Sequence, residues 1–248
     1  MITLRKFAVA AALVVCSFSA SAATTWALTN SAANEPLVTG WRASGNTTTL
    51  ATTTVGYWGG SGIGIGPEGS PEHSLDNANG YEVAVLSFDD LVRLDTVKAG
   101  WWSNDSDIFV MAYTGVGTPT TTSLQNLTSS GWTLVGNYSN IGTTTVQLGA
   151  AENLYSSFWL IGAGGFQTGV GVVNDSTTTQ SCSAYYWNGS CKTWTTTTTP
   201  KYDYVKIAAV GGVTKPDTPP GKVSEPGLLG LLGIGLVGLF GLQRRRAR

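Results

Sequence analysis

The sequence predicts an all-β fold, a β-sandwich or jelly roll in a single domain, on three observations. Thr clusters recur at Thr47 to Thr49, Thr52 to Thr54, Thr120 to Thr122, Thr143 to Thr145, Thr177 to Thr179 and Thr195 to Thr199, beside Gly, Asn or Ser. Thr favours strands and turns over helices, because its branched side chain loses rotamers in a helix. No stretch between the two ends keeps an apolar 3.6-residue period for three turns, whereas short β-type runs separated by turn residues fill it throughout. Antiparallel sheets with one buried face need this many short strands.

The strands expected in chain order are Tyr81 to Phe88, Leu91 to Trp101, Ile108 to Thr114, Trp132 to Tyr138, Thr143 to Leu148, Phe158 to Gly162 and Tyr202 to Val210. In the last, Val205, Ile207 and Ala209 share one face, opposite Lys206 and Ala208. Gly64 to Gly69 fits the spacing GxGxxG, but Pro67 and Pro71 deny it the helix that a dinucleotide site needs, so these glycines read as a loop.

The ends carry different signals. Arg5 and Lys6 precede an apolar run from Phe7 to Phe18 and the small residues Ala20-Ser21-Ala22. That order describes a secretory signal peptide over 1–22, helical in its apolar part and cut by signal peptidase between Ala22 and Ala23. The body is expected over 23–213, and a Pro-rich extended spacer over 214–223. Residues 224–248 then run Ser224-Glu225-Pro226, an uncharged segment from Gly227 to Leu242, and a basic end with Arg244, Arg245, Arg246 and Arg248. As a helix the segment 227–242 extends about 24 Å, short of the roughly 30 Å hydrocarbon core, so the arginines of 243–248 must snorkel or the membrane must thin. Basic residues stay cytoplasmic, which puts the body outside that membrane.

In this tail the chain resembles the PEP-CTERM family of exosortase substrates, with Ser224 standing where the family carries its first Pro. The resemblance implies that an exosortase cuts near Glu225 and Pro226 after transient residence in the inner membrane. It also implies delivery of the body to the cell surface or the extracellular matrix, often alongside exopolysaccharide and biofilm. An ordinary single-span anchor is the alternative. The segment from Gly66 to Asn77, the strand from Tyr81 to Phe88, and the runs Val92 to Trp101 and Asp105 to Tyr113 are similar to a subset of exosortase-dependent surface proteins. That similarity implies a β-rich extracellular body and supplies no catalytic residue.

Six of the 14 Lys and Arg residues lie in the two ends, which leaves eight against the chain's 15 Asp and Glu, of which only Glu225 lies in the tail. Such a body has no electrostatic footprint for nucleic acid. The single histidine, His73, has no Cys or second His near it for a transition metal, and reads as a turn residue. Asp76, Asn77 and Glu82 precede one strand, and Asp105 and Asp107 follow another; oxygen ligands of this kind suit calcium, and strand-end Asx turns are the competing reading. Most of the nine Trp and nine Tyr should fill the core, with Trp101, Trp102, Tyr186 and Trp187 as candidates for stacking on sugar rings. Trp101 and Trp102 point to opposite faces of a strand, so one of the two must be partly exposed.

Export puts Cys182 and Cys191 in an oxidising compartment, and signal removal takes Cys16 away, so the pair should bridge. A two-residue hairpin on Asn188-Gly189 would set Cys191 opposite Tyr186 and Cys182 opposite Thr195, so the bridge argues for a folded-over aromatic loop instead. The function expected is a non-catalytic surface or matrix protein linked to extracellular polysaccharide. A carbohydrate-binding module is the alternative, and a glycoside-active enzyme, which needs two carboxyl groups across a cleft, is a remoter one.

Overall fold

A computed structural model describes residues 23–29, 36–67 and 73–216, and Ala22–Lys215 forms one compact unit. The expected signal segment with Ala22, most of the spacer, and the sorting tail with Ser224, Glu225 and Pro226 lie outside the described residues. Among the described residues no helix is long and apolar enough to cross a membrane.

The described residues are all-β and their strand pairs are antiparallel. In order the strands are β1 (Thr24–Ala27), β2 (Leu37–Ala43), β3 (Ala51–Thr53), β4 (Val55–Tyr57), β5 (Ile63–Ile65), β6 (Leu75–Asp76), β7 (Tyr81–Asn104) and β8 (Ile108–Tyr113). After two 3-10 turns, Leu124–Asn126 and Thr128–Ser130, come β9 (Trp132–Tyr138), β10 (Thr145–Gln147), β11 (Ser156–Ala163), β12 (Gly165–Gln167), β13 (Gly171–Val173), β14 (Asp175–Tyr185), β15 (Cys191–Lys201) and β16 (Asp203–Thr214). Twelve strands form one sheet whose main path is β4-β5-β16-β7-β11-β8-β9. The pairs β12-β13 and β14-β15 stand as separate two-stranded sheets.

Two expected strands, Tyr81 to Phe88 and Leu91 to Trp101, are one: β7 runs 24 residues. Its first half pairs with β2 and β11, its second with β16 and β10, and the exposed Asp89 and Asp90 lie between. Side chains alternate across a strand, and the two faces here enter different apolar clusters. Ala84, Leu86 and Phe88 join Ile108, Val110, Ala112, Trp159 and Ile161 on one face. The second half of β7 adds Val92, Leu94, Val97 and Ala99 to that same cluster, and β16 adds Val205, Ile207 and Val210. On the other face Val83, Val85, Phe109, Met111 and Leu160 pack with Trp41, Trp132, Phe166 and the turn residues Leu124 and Leu127. Each fully buried aliphatic side chain contributes about 1.5 to 3 kcal/mol, which makes this two-sided centre the thermodynamic heart of the unit.

Three expectations need correction. Gly64 lies inside strand β5, paired with Gly56 of β4, and not in a loop; the chain at His73 crosses so closely that a Cβ on Gly64 would clash with the His73 carbonyl oxygen. The simple alternation proposed for β16 fails, since its pairing with β7 shifts register on either side of Ile207 and both Lys206 and Ala208 are buried. Tryptophan is not mainly a core residue here. Trp41, Trp132 and Trp159 are buried, but Trp58, Trp102, Trp187 and Trp194 are exposed.

Candidate functional site

The most distinctive surface feature is the β14-β15 ribbon, absent from the expected strands. Its 11-residue strands extend about 35 Å at the usual rise. Nearly every residue on both is exposed. Thr177, Thr178 and Thr179 face Thr199, Thr198 and Thr197 across the pair, so these two Thr tracts occupy exposed strand faces. The folded-over loop is overturned: the chain forms a long hairpin, closed by the Tyr186 N–H donating to the Ser190 carbonyl at 2.8 Å and the Gly189 N–H to the Tyr186 carbonyl at 2.9 Å. Gly189 takes φ of +81°, where glycine pays no steric penalty.

Cys182 and Cys191 form a disulfide with Cα atoms 5.7 Å apart. They are not cross-strand neighbours, because Cys182 lies opposite Trp194 and Cys191 opposite Tyr185. Register shifts between Cys182 and Tyr185 fold the tip so that the sulfurs meet. The bridge therefore pins the tip of the ribbon, and presents Tyr185, Tyr186 and Trp187, with Trp187 98 % exposed. The Lys192 ammonium lies 5.9 Å from the Tyr186 ring centre. Of the other stacking candidates, Trp102 is 44 % exposed, and Trp101 is half-buried under Lys206, whose ammonium sits 4.6 Å from its ring centre and 5.0 Å from that of Trp58. Desolvation pushes the Lys206 pKa down. His73, read as a turn residue, stacks on Trp58 with ring centres 4.6 Å apart.

An acidic cluster forms where the ribbon joins the body. Asn104 ends β7 with φ of +60°, a conformation Asn tolerates, and its amide donates to the Tyr202 carbonyl at 2.7 Å. This reversal brings Asp105 and Asp107 beside Asp175, the first residue of β14, with one carboxylate oxygen of each within 4.8 Å of the others. Asp203 begins β16 next to them. Its carboxylate accepts from the Asp107 N–H at 2.7 Å and the Asn77 amide at 2.8 Å, and its own N–H donates to Asn77 Oδ1 at 2.8 Å. Lys201, the last residue of β15, places its ammonium 2.6 Å from Asp105. Asp107 also accepts from the Asn140 N–H at 2.7 Å.

Burial raises the pKa of Asp203 to about 7, with Asp107 and Asp105 adding repulsion against the hydrogen bonds it accepts. Asp107 is raised too, first by burial. Of the five expected calcium ligands, Asp105 and Asp107 enter this cluster. Asn77 braces it through Asp203. Asp76 makes an Asx turn, accepting from the Ala78 N–H at 3.0 Å. Glu82 is buried beside Arg42 at 3.2 Å. Asp175, Lys201 and Asp203 were missed because they lie some 70 to 100 positions further along the chain. The legible signal was the near-symmetry of Thr tracts about Asn188-Gly189, which marks a hairpin whose ends must meet.

No protein-family profile matches the chain, and no curated protein matches it.

Proposed function

We propose that this is an exported, exosortase-processed surface or matrix protein without catalytic activity, whose β-sandwich body carries the ribbon as a contact arm for extracellular polysaccharide. The single observation that carries the reading is the disulfide-pinned tip, where Tyr185, Tyr186 and Trp187 are held in solvent at the end of an arm. Apolar rings kept in water cost free energy unless a partner covers them, and flat aromatic rings stack on sugar faces. The tail from Ser224 to Arg248 supports sorting through its order of Pro, apolar segment and arginines, and signal peptidase and exosortase are then its processing partners.

Calcium belongs to the same reading. Three carboxylate oxygens within 4.8 Å of one another suit one ion at about 2.4 Å from each. The neighbouring Asn174 has a buried Oδ1 that accepts no hydrogen bond. Asp105, Asp107 and Asp175 would hold the ion, Lys201 would swing out, and the ribbon base would be locked to the body. A carbohydrate-binding module in the strict sense differs only in binding one glycan tightly.

The test is a glycan array probed with the exported chain and its Trp187→Ala variant. Signal lost in the variant with an unchanged melting curve supports the contact arm. Equal binding by both proteins, or none by either, removes it.

A further inference from the structure

The edges of the ribbon point to a second partner. Among the described residues its two strands pair only with each other, so each outer edge carries backbone donors and acceptors that no other strand pairs. Folded proteins blunt such edges with charge, proline or a bulge, because an extended uncharged edge is a template for another strand. Here the register shifts lie near the tip, between Cys182 and Tyr185, and Pro200 and Lys201 lie at the base. The stretch from Thr195 to Thr199 between them has none of these devices, and an isolated two-stranded ribbon is marginal in water.

We propose that the outer edge of β15 pairs antiparallel with the same edge of a second copy of this chain, about a two-fold axis at Thr197. The pairing joins two ribbons into a four-stranded sheet. The occupant is specified by self-complementarity. The axis sets Thr195 opposite Thr199 and Thr196 opposite Thr198, so every central pair is Thr on Thr, a combination that hydrogen-bonds across strands. The same operation sets Trp194 opposite Pro200, an apolar contact for a ring that is 61 % exposed in one copy. Lys201 falls opposite Thr193 and Lys192 opposite Tyr202, so no like charges meet. A slip of two residues, the smallest that keeps the antiparallel hydrogen-bond ladder, still leaves Thr against Thr at the centre. An isologous edge contact of this kind closes as a dimer. It uses the flank of the ribbon, and so stands whether or not the tip binds glycan.

The test is sedimentation of the full-length exported chain over a concentration series, with Thr197→Lys and Thr197→Glu beside it. Thr197 is exposed, so either variant should melt at the wild-type temperature, as circular dichroism checks. The wild type should dimerise, each variant alone should associate at least about tenfold more weakly through like charges meeting at the axis, and an equimolar mixture of the two should recover the dimer. Mild oxidation should also link Thr197→Cys between copies while Val116→Cys, at a fully exposed loop site, stays unlinked. A wild type that remains monomeric at its highest soluble concentration overturns the proposal. So do association unchanged in both charged variants, a mixture that fails to recover the dimer, or a Thr197→Cys chain that does not cross-link.

Discussion

Trp159→Ala should lower the stability of the body by about 4 kcal/mol. Trp159 is fully buried in the cluster shared by the two halves of β7, and its ring N–H donates to the Val92 and Ser156 carbonyls at 3.1 Å each. Truncation leaves a cavity too well framed by strands to collapse, and takes away the donor those carbonyls share. For a unit of this size the loss corresponds to a melting point roughly 8 to 16 °C lower, read by circular dichroism. Trp187→Ala should leave the curve in place, because that ring touches solvent on nearly all sides. Similar shifts in the two variants would refute the assignment of Trp159 to the centre of the core.

The second large effect is a dependence on pH. The folded-state pKa of Asp203 stands at about 7 against 3.8 as its ordinary value. A raised carboxyl pKa means that the folded chain holds the proton more tightly than the unfolded one. The resulting stability is therefore fully present below about pH 4 and lost as the pH rises through 7. Across that window the contribution falls by about 4 kcal/mol, and Asp107, also raised, adds in the same direction. In chelator the melting temperature should fall from pH 5 to pH 7.5. Asp203→Asn, which starts lower for want of one hydrogen bond with Asn77, should show a flatter profile. Saturating calcium should cancel the fall, since a cation offsets the carboxylate repulsion and binds only the folded state. Equal slopes in wild type and variant would return Asp203 to an ordinary buried acid, and a slope untouched by calcium would remove the ion from the cluster.

The fold class was legible because period-two patterning and Thr-rich runs report directly on strands, and the run from Trp132 to Tyr138 matches β9 residue for residue. The join of two expected strands into β7 was hidden, since the charged pair Asp89-Asp90 interrupts the apolar pattern and yet only marks where the strand passes from one set of partners to another. The disulfide was legible from the expectation of export and the cysteine count. Its hairpin was not, because the expected register left no room for the bulges that bring Cys182 to Cys191. Half of the acidic cluster could be found locally at Asp105 and Asp107. Asp175 and Asp203 reach it only through the return of the ribbon to the body, a contact that no local spacing reveals.

Intact-mass measurement of the protein released from the cell surface tests the central claim most directly. The account predicts a chain that begins near Ala23 and ends between Ser224 and Pro226, with Cys182 and Cys191 still bridged. A released chain that keeps Arg244 to Arg248, or one that keeps residues 1–22, contradicts it.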